Sequence, residues 1–371
     1  MSEYTFALFF LVFWLVIYIL GRIFPVKRYG FDVKPFFIKY ESERFKRLLY
    51  KYSSRWRFLW RMFSYISVLL GFGLMLFAIV FLSENLLEVF LLSRQGAVIA
   101  PVIPGLTLSL YWLPYFLVAV IVAIFIHEAM HGILAILEGI SVKSAGALVL
   151  GIFLGGCGVI NEEELSRLPY TSRMKIFSAG SSSNILGGLL VFLLMLALFS
   201  QSPSGVIVLE VLEGGPLDTA GIERWDVIYA LNGTLIRTYQ DLTAFMSNVK
   251  PGDRLIASTS RGNITITTIP SPDDARRAII GIISLPLLYY PSRLGLGFFW
   301  DIQVYLTLNW LFIVLVNVAV FNMLPIPLFD GDKLLQCLLE KAARKSNVLK
   351  KLFNILSIFL IAANMALNIR L

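Results

Sequence analysis

The stretch IFIHEAMHG, residues 124–132, places two imidazoles and a carboxylate inside a long apolar run. In an α-helix His127 and His131 lie one turn apart on the same face, and Glu128 lies about 100° round the axis. This spacing suits a zinc ion held by the two histidines, with the glutamate as a general base. The chain has only 2 histidines, and both are in this stretch. Such groups are costly at membrane depth unless paired or liganded, which favours a metal site over a chance pattern.

The composition is that of an integral membrane protein. Hydrophobic residues make up 57% of the chain and charged residues 15%, against about 45–50% apolar and about 25% charged in globular domains. About six apolar stretches can cross roughly 30 Å of hydrocarbon; they cover residues 4–24, 63–82, 106–137, 176–200, 305–324 and 352–367. Glycine, proline or arginine interrupts three shorter runs, which we interpret as interfacial or re-entrant: 86–103, 145–160 and 278–299.

The formal net charge of +8 is concentrated in the loops beside the apolar stretches. The basic loop after the first stretch, residues 25–61, is predicted to be cytoplasmic by the positive-inside rule. The basic loop after Asp332 falls on the same side when six crossings are counted. This distribution argues against a nucleic-acid partner. Orientation in the membrane is the favoured role of the basic residues, and contact with anionic headgroups is the alternative.

Two segments are expected to flank the motif helix. Residues 139–160 are apolar, β-branched and rich in glycine, which predicts a strand or a re-entrant loop that forms a wall of the active site. An ordinary amphipathic hairpin is the alternative. Small residues at 178–188 allow helices to approach closely, and Asn184 can hydrogen-bond across such an interface.

Two imidazoles need a third protein ligand to hold a catalytic zinc ion. Because no histidine remains, the candidates are a carboxylate or Cys157. We favour Asp330, because two prolines break the preceding helix near the expected depth of the HExxH motif. Asp332 is predicted to be the N-cap of a helix at 333–345. The second cysteine, Cys337, lies in a different predicted environment, so no disulfide is expected.

Between the fourth and fifth apolar stretches the composition changes to that of a soluble module, at 204–274. Alternating apolar residues and an Asn-Gly turn predict four strands, a turn with a short helix, and one amphipathic helix. The strands cover 205–212, 226–233, 254–260 and 263–269, the turn and short helix 214–221, and the amphipathic helix 240–249. This layout resembles a PDZ domain, with Trp225 where the family usually has glycine. PDZ domains bind peptides by strand addition, so the resemblance implies a peptide or protein ligand. A spacer without a ligand is the alternative.

The ordered motifs together resemble the site-2 protease family of intramembrane zinc metalloproteases. The resemblance rests on four features: HExxH at 127–131, a GxxxN element at 180–184, the PDZ-like insertion, and an NxxPxxxxDG element at 322–331. It covers most of the chain; the departures from the family pattern are the long basic insert and the extra leading crossings.

The resemblance implies specific roles for the site residues. One zinc ion per chain is expected on His127, His131 and Asp330, with Glu128 as the catalytic acid/base. Polar groups near the substrate channel are expected at Asn322 and Asn317. With them we assign Asn184 to substrate binding.

The predicted fold is an α-helical polytopic membrane protein with about six transmembrane helices, a re-entrant β-like segment and an inserted small α+β PDZ-like domain. Its parts are an N-terminal anchor with the basic loop (1–62), two parts of a membrane core (63–203 and 275–371), and an extracytoplasmic PDZ-like domain (204–274). The active site is expected towards the cytoplasmic side of the cell membrane.

The predicted function is regulated intramembrane proteolysis, in which a zinc metalloendopeptidase hydrolyses peptide bonds in or near transmembrane helices of membrane-protein substrates. One alternative is another membrane HExxH peptidase class, with a glutamate from a later helix as third ligand. The other is a non-catalytic PDZ-containing membrane scaffold with a structural metal, which would have four protein ligands and no open position.

Overall fold

A computed structural model describes residues 3–92, 97, 99–100, 102–103, 107–144, 146–150, 153–156, 159–342 and 346–368. Cys157, the alternative third ligand, lies outside the described residues. The helices of the described chain are α1 (Glu3–Ile23), α2 (Glu43–Arg55), α3 (Arg57–Leu92), α4 (Leu113–Leu137), α5 (Glu162–Arg167), α6 (Tyr170–Leu198), α7 (Pro216–Thr219), α8 (Tyr239–Met246), α9 (Phe298–Asn322), α10 (Asp330–Ala342) and α11 (Ser346–Asn368).

The strands of the described residues form four separate sheets. They are β1 (Phe31–Lys34), β2 (Phe37–Glu41), β3 (Val142–Ser144), β4 (Gly146–Leu150), β5 (Phe153–Gly156), β6 (Val159–Ile160), β7 (Gly205–Ile207), β8 (Val227–Leu231), β9 (Thr234–Leu235), β10 (Arg254–Thr259), β11 (Gly262–Thr267), β12 (Ile269–Pro270), β13 (Ala278–Ile279) and β14 (Leu287–Tyr289). The chain divides into two compact units, Met1–Leu190 with Trp310–Leu371, and Val191–Asn309.

Five helical segments of the described chain are long and apolar enough to cross a membrane. They are Arg57–Phe90, Leu110–Leu137, Tyr170–Leu198, Phe298–Asn322 and Asn347–Leu367. Each overlaps one of the six predicted crossings. The remaining predicted crossing, 4–24, is helix α1, whose shorter apolar part covers Leu11–Ile23. The apolar run at 86–103 begins inside α3, so its first part is a continuation of that helix.

Serine and glycine residues on α6 bring this helix close to its neighbours in the first unit. Oγ of Ser178 lies 3.1 Å from Oγ of Ser67 on α3, and the Ser182 hydroxyl donates to the Ser67 carbonyl at 2.9 Å. Small side chains allow such close approach, and the hydroxyls find partners without water. The predicted close packing of the small-residue helix is therefore found, and it includes α3.

The glycine-rich segment at 139–160 forms strands, as predicted, but its partner comes from the basic loop. The hairpin β1–β2 pairs through β2 with β4, and β4 pairs with β5, which gives the antiparallel order β1-β2-β4-β5. Strand β5 lies beside α4. The basic loop is thus partly a hairpin that supports the sheet next to the HExxH helix.

The second unit contains the four strands and both helices predicted for the soluble module, although β7 ends at Ile207, earlier than predicted. Its main sheet has the order β11-β10-β8-β7-β14, and β9 pairs with β8. The predicted hairpin is confirmed, since Asn232 and Gly233 have φ of 46° and 80° between β8 and β9. Trp225 has φ 76°, so it adopts the left-handed conformation for which glycine is usually chosen.

The run at 278–299, which we interpreted as interfacial or re-entrant, contains two strands of the second unit. Strand β13 pairs with β12, and β14 pairs with β7 at the edge of the main sheet. Tyr289 of β14 is buried, and its hydroxyl donates to Asp301 at 2.9 Å. Short apolar runs with glycine and proline have the same composition in sheet strands and in re-entrant segments, so local pattern did not separate them.

Candidate metal centre

Three side chains of the first unit converge at one point. Nε2 of His127 and Nε2 of His131 lie 3.1 Å apart. Oδ2 of Asp330 lies 3.1 Å from the former and 2.9 Å from the latter. Each residue is only 8% exposed. Among the histidine, cysteine and acidic residues of the described chain, these three form the group whose ligand atoms lie close enough together to hold a metal ion.

The donor set and its spacing fit zinc. Two imidazoles and one carboxylate are typical zinc ligands, and bonds of about 2.0–2.1 Å in a tetrahedral site separate the ligand atoms by roughly 3.3 Å. The observed separations of 2.9–3.1 Å are close to this value. Three protein ligands leave the fourth position open, as in catalytic rather than structural zinc sites.

Gly180 of α6 keeps space free beside these atoms. A Cβ at this position would lie 2.4 Å from Nε2 of His131 and 2.5 Å from Nε2 of His127. Any side chain at this position would therefore occupy the space beside both Nε2 atoms, where a metal ion would bind. The absence of a side chain at Gly180 is what makes room for an ion at this point.

The remaining ring nitrogens face hydrogen-bond partners on α6. Nδ1–H of His131 donates to the Ile176 carbonyl at 2.7 Å, which leaves Nε2 as the lone-pair nitrogen. Nδ1 of His127 lies 3.4 Å from the side-chain amide of Asn184, which is fully buried. Ile176, Gly180 and Asn184 are each one turn apart, so a single stripe of α6 faces the donor atoms.

The Asn184 amide has an orphaned atom. Its Oδ1 is buried and meets no hydrogen-bond partner among the described residues. The oxygen and nitrogen of an amide exchange places by rotation about the last side-chain bond. In the rotated form Oδ1 accepts from Nδ1–H of His127, which satisfies the oxygen and leaves Nε2 free to bind a metal.

Asn322 also lies at the donor atoms. Its Nδ2 donates to Oδ2 of Asp330 at 2.8 Å and lies 3.2 Å from Nε2 of His127. By contrast, Asn317 is exposed and donates to the Ile313 carbonyl of its own helix at 2.8 Å. The structure thus brings Asn322 and Asn184 to the site and leaves Asn317 outside it.

Asp330 is positioned by a helix end and a tight contact. Helix α9 ends at Asn322, as the prolines predicted, and α10 begins at Asp330 itself. Gly331 permits this approach, because a Cβ there would lie 2.1 Å from the Met323 carbonyl oxygen. The predicted cap at Asp332 is wrong: the helix starts earlier, and Oδ2 of Asp332 lies 3.0 Å from Nζ of Lys350.

Glu128 follows His127 on α4 and is half-buried. Its position in the helix turns it about 100° from the histidine face, beside the donor atoms rather than among them. A carboxylate placed next to an open ligand position can accept a proton from a molecule bound there. The arrangement therefore separates three ligand side chains from one candidate base.

The match to a known protein family extends over the whole site. A family model described as peptidase family M50 matches residues 115–364. An uncharacterised protein of Methanocaldococcus jannaschii is 28% identical over 298 residues, which is 80% of this chain and 75% of that protein. A membrane-bound transcription factor site-2 protease homologue of Arabidopsis thaliana is 26% identical over 212 residues, 54% of this chain and 40% of that protein.

A third similarity covers a shorter part of the chain. A probable periplasmic serine endoprotease, DegP-like, of Ectopseudomonas mendocina is 33% identical over 78 residues, 20% of this chain and 16% of that protein. The family match, in contrast, includes both the HExxH helix and Asp330.

Proposed function

The chain belongs to peptidase family M50, the site-2 protease family of membrane metallopeptidases, and we propose that it is a zinc endopeptidase that cuts transmembrane substrates. The observation that carries this proposal is the convergence of His127, His131 and Asp330 from distant parts of the chain, with one position left open. The proposed process is regulated intramembrane proteolysis.

The site residues have distinct proposed roles. A zinc ion held by the two histidines and Asp330 would supply Lewis acidity and lower the pKa of water to about 7. Glu128 takes the proton of the attacking water and passes it to the leaving amine. The Nδ2 group of Asn322, fixed by Asp330, is the donor best placed to meet a substrate carbonyl. For Asn184 we propose orientation of His127 instead of substrate binding.

The substrate is proposed to bind as an extended strand. Carbonyls of a transmembrane helix are already hydrogen-bonded, so the helix must unwind before it can be cut. Strand β5 lies beside α4 and is hydrogen-bonded to β4 on one side, and among the described strands none pairs with its other edge. A substrate strand at that edge would replace the backbone bonds lost on unwinding. Proline substitutions in 153–156 should slow cleavage of helical substrates, and unchanged rates would exclude this role.

The second unit is proposed to be a PDZ-like peptide-binding domain. A cavity of about 750 Å³ lies between α8 and residues 278–286, with Leu242 and Met246 on one wall and Ile282 on the other. The wall that contains Ile282 is hydrogen-bonded on one edge, since the N–H of Ile283 donates to the Glu210 carbonyl at 3.1 Å. Residues 282–285 line the cavity, and an extended peptide is proposed to add there as a strand.

The proposed orientation places the PDZ-like domain outside the cell membrane and the metal centre towards the cytoplasm. It is supported by the excess of Lys and Arg between the first two apolar stretches. Protease protection of tags inserted at 204 and at 343 in sealed vesicles would test it. Equal accessibility of both tags from the same side would exclude it.

The decisive test of function is cleavage by the purified chain in nanodiscs. A fluorogenic transmembrane substrate should be cut by the wild type, and Glu128→Gln should reduce the rate roughly 10²- to 10⁴-fold, because the base is lost. Zinc content should stay the same, since the ligands remain. The matched control is Glu138→Gln at the residue that directly follows this helix, where the carboxylate lies 3.1 Å from Nζ of Lys175 instead of at the site.

The same experiment separates the scaffold alternative. A scaffold with a structural metal predicts zinc without cleavage in the wild type, and a fourth protein ligand. The third-ligand alternative, a glutamate, predicts loss of zinc when that glutamate is replaced and retention of zinc in Asp330→Ala. Cleavage by Glu128→Gln at the wild-type rate would contradict the proposed mechanism.

A further inference from the structure

The outer face of helix α2 carries a stripe of basic residues. Arg44, Arg47, Lys51 and Arg55 are spaced three or four positions apart, so they fall within about 80° of the helix circumference. All four are exposed. In the described part of the chain, no carboxylate forms an ion pair with any of them. These four residues form the α2 stripe. It is a row of cations on one helix, without an anionic partner in the described chain.

The α2 stripe lies directly before a membrane-spanning segment. Helix α2 ends at Arg55, and the apolar span Arg57–Phe90 begins two residues later. Two exposed apolar side chains come directly after α2 in the sequence: Trp56 is 46% exposed and Phe58 is 73% exposed. Aromatic residues beside the end of a span are typical of the headgroup level of a bilayer. The adjoining sequence therefore places the cations at the membrane surface.

The opposite face of α2 is fixed to the HExxH helix. Leu49 is 3% exposed and faces Gly132, where a Cβ would lie 2.9 Å from Leu49 Cδ1. The rings of Phe45 and Phe125 lie 4.9 Å apart. The Tyr50 hydroxyl accepts from the backbone N–H of Val142 at 3.3 Å. The stripe is therefore presented by an anchored helix and not by a flexible tail, which lowers the entropy lost on binding.

We propose that the α2 stripe binds the phosphate-bearing headgroups of anionic phospholipids. A row of cations next to a span attracts such lipids electrostatically, and arginine matches phosphate oxygens with paired donors. Soluble polyanions fit the surface less well, because the exposed apolar side chains of Trp56 and Phe58, which follow the stripe in the chain, would be covered by lipid hydrocarbon and not by a soluble anion. The inference does not depend on peptidase activity.

The test uses the full-length protein in nanodiscs of phosphatidylcholine with and without phosphatidylglycerol. Tryptophan fluorescence is quenched with brominated phosphatidylglycerol and with brominated phosphatidylcholine. Because the chain has 7 tryptophans, the part of the quenching that is lost in Trp56→Phe reports which lipid lies next to Trp56. Each cation at the headgroup level contributes about fivefold to lipid binding. If only two of the four residues contact phosphate, replacing all four by glutamine should reduce the preference for phosphatidylglycerol roughly 25-fold, and more if all four contact it.

The control changes the same number of charges elsewhere. Arg237, Lys250, Arg254 and Arg276 are exposed residues of the second unit, and their replacement by glutamine should leave the lipid preference unchanged. Zinc content and the unfolding midpoint verify that both variants fold. The wild type alone gives an independent measurement, since its preference should fall steeply as salt concentration rises.

Three outcomes would overturn the proposal. The first is equal quenching by both lipids in the wild type, which would leave the basic residues with a role in orientation only. The second is an unchanged preference after replacement of the stripe. The third is binding of inorganic phosphate or a soluble polyanion in detergent without any lipid preference in nanodiscs.

Discussion

Replacing Gly180 by alanine would place a methyl group where the three donor atoms converge. Its Cβ would lie 2.4 Å from Nε2 of His131, whereas ordinary contacts begin at 3.4 Å. One or both imidazole rings must therefore move by about 1 Å, which separates them from Asp330. Overpacking of this kind costs about 1–3 kcal/mol. If zinc binding must overcome that cost, its affinity falls roughly 5- to 150-fold.

The assay is competition for zinc with a chromophoric chelator in detergent micelles. Gly187→Ala is the matched control, since it makes the same change on the same helix. Its Cβ would lie 3.6 Å from Leu315 Cδ1, an ordinary contact, and alanine favours the helix by up to about 1 kcal/mol. Zinc affinity of this control should be unchanged and its stability equal or higher.

The unfolding midpoint of the zinc-free protein distinguishes local loss of the site from misfolding. Gly180→Ala should unfold cooperatively without zinc, and saturating zinc should stabilise it by about 1–3 kcal/mol less than it stabilises the wild type or the control. Wild-type zinc affinity in Gly180→Ala would refute the reasoning, because the donor atoms could not then converge as described.

Three further predictions concern single side chains. Asp330→Asn keeps the shape but removes the charged ligand, so zinc affinity measured by chelator competition should fall at least about tenfold; full occupancy would point to Cys157 or a glutamate. Asn184→Leu removes the partner of His127 Nδ1 and should weaken zinc binding roughly 10- to 100-fold, whereas Asn184→Asp keeps an acceptor and should retain more. Burial raises the pKa of the Cys337 thiol to about 11, so in folded Cys157→Ser protein iodoacetamide should not label it at neutral pH; rapid labelling would contradict its burial.

The HExxH helix and its distant ligand could be predicted because their signals are local. Two histidines at helical spacing and a proline-broken helix before Asp330 are visible without knowledge of the fold. The row formed by Ile176, Gly180 and Asn184 on α6 could be predicted only in part. Small residues on α6 indicated close packing, but which of them faces the donor atoms depends on the rotation of α6 against α4. The four-residue spacing of Ile176, Gly180 and Asn184 was the sequence signal that could have identified these residues as one face of α6.

The β1–β2 hairpin could not be predicted for two physical reasons. Its turn contains Phe36 with φ 56° in place of a glycine or asparagine, so the usual turn signal is missing. Its partner strand β4 begins more than 100 residues later, and local periodicity carries no information about such pairing. Strand β14 was missed for the second reason, since its partner β7 lies far before it in the chain.

The central claim is that one zinc ion is held by two imidazoles and one carboxylate. Zinc K-edge absorption of the purified protein measures the ligand types and distances directly. The predicted spectrum contains only nitrogen and oxygen ligands at about 2.0–2.1 Å, with two imidazoles. A sulfur ligand at about 2.3 Å, which would come from a cysteine, or four imidazole- and carboxylate-type protein ligands with no solvent position, would contradict the account.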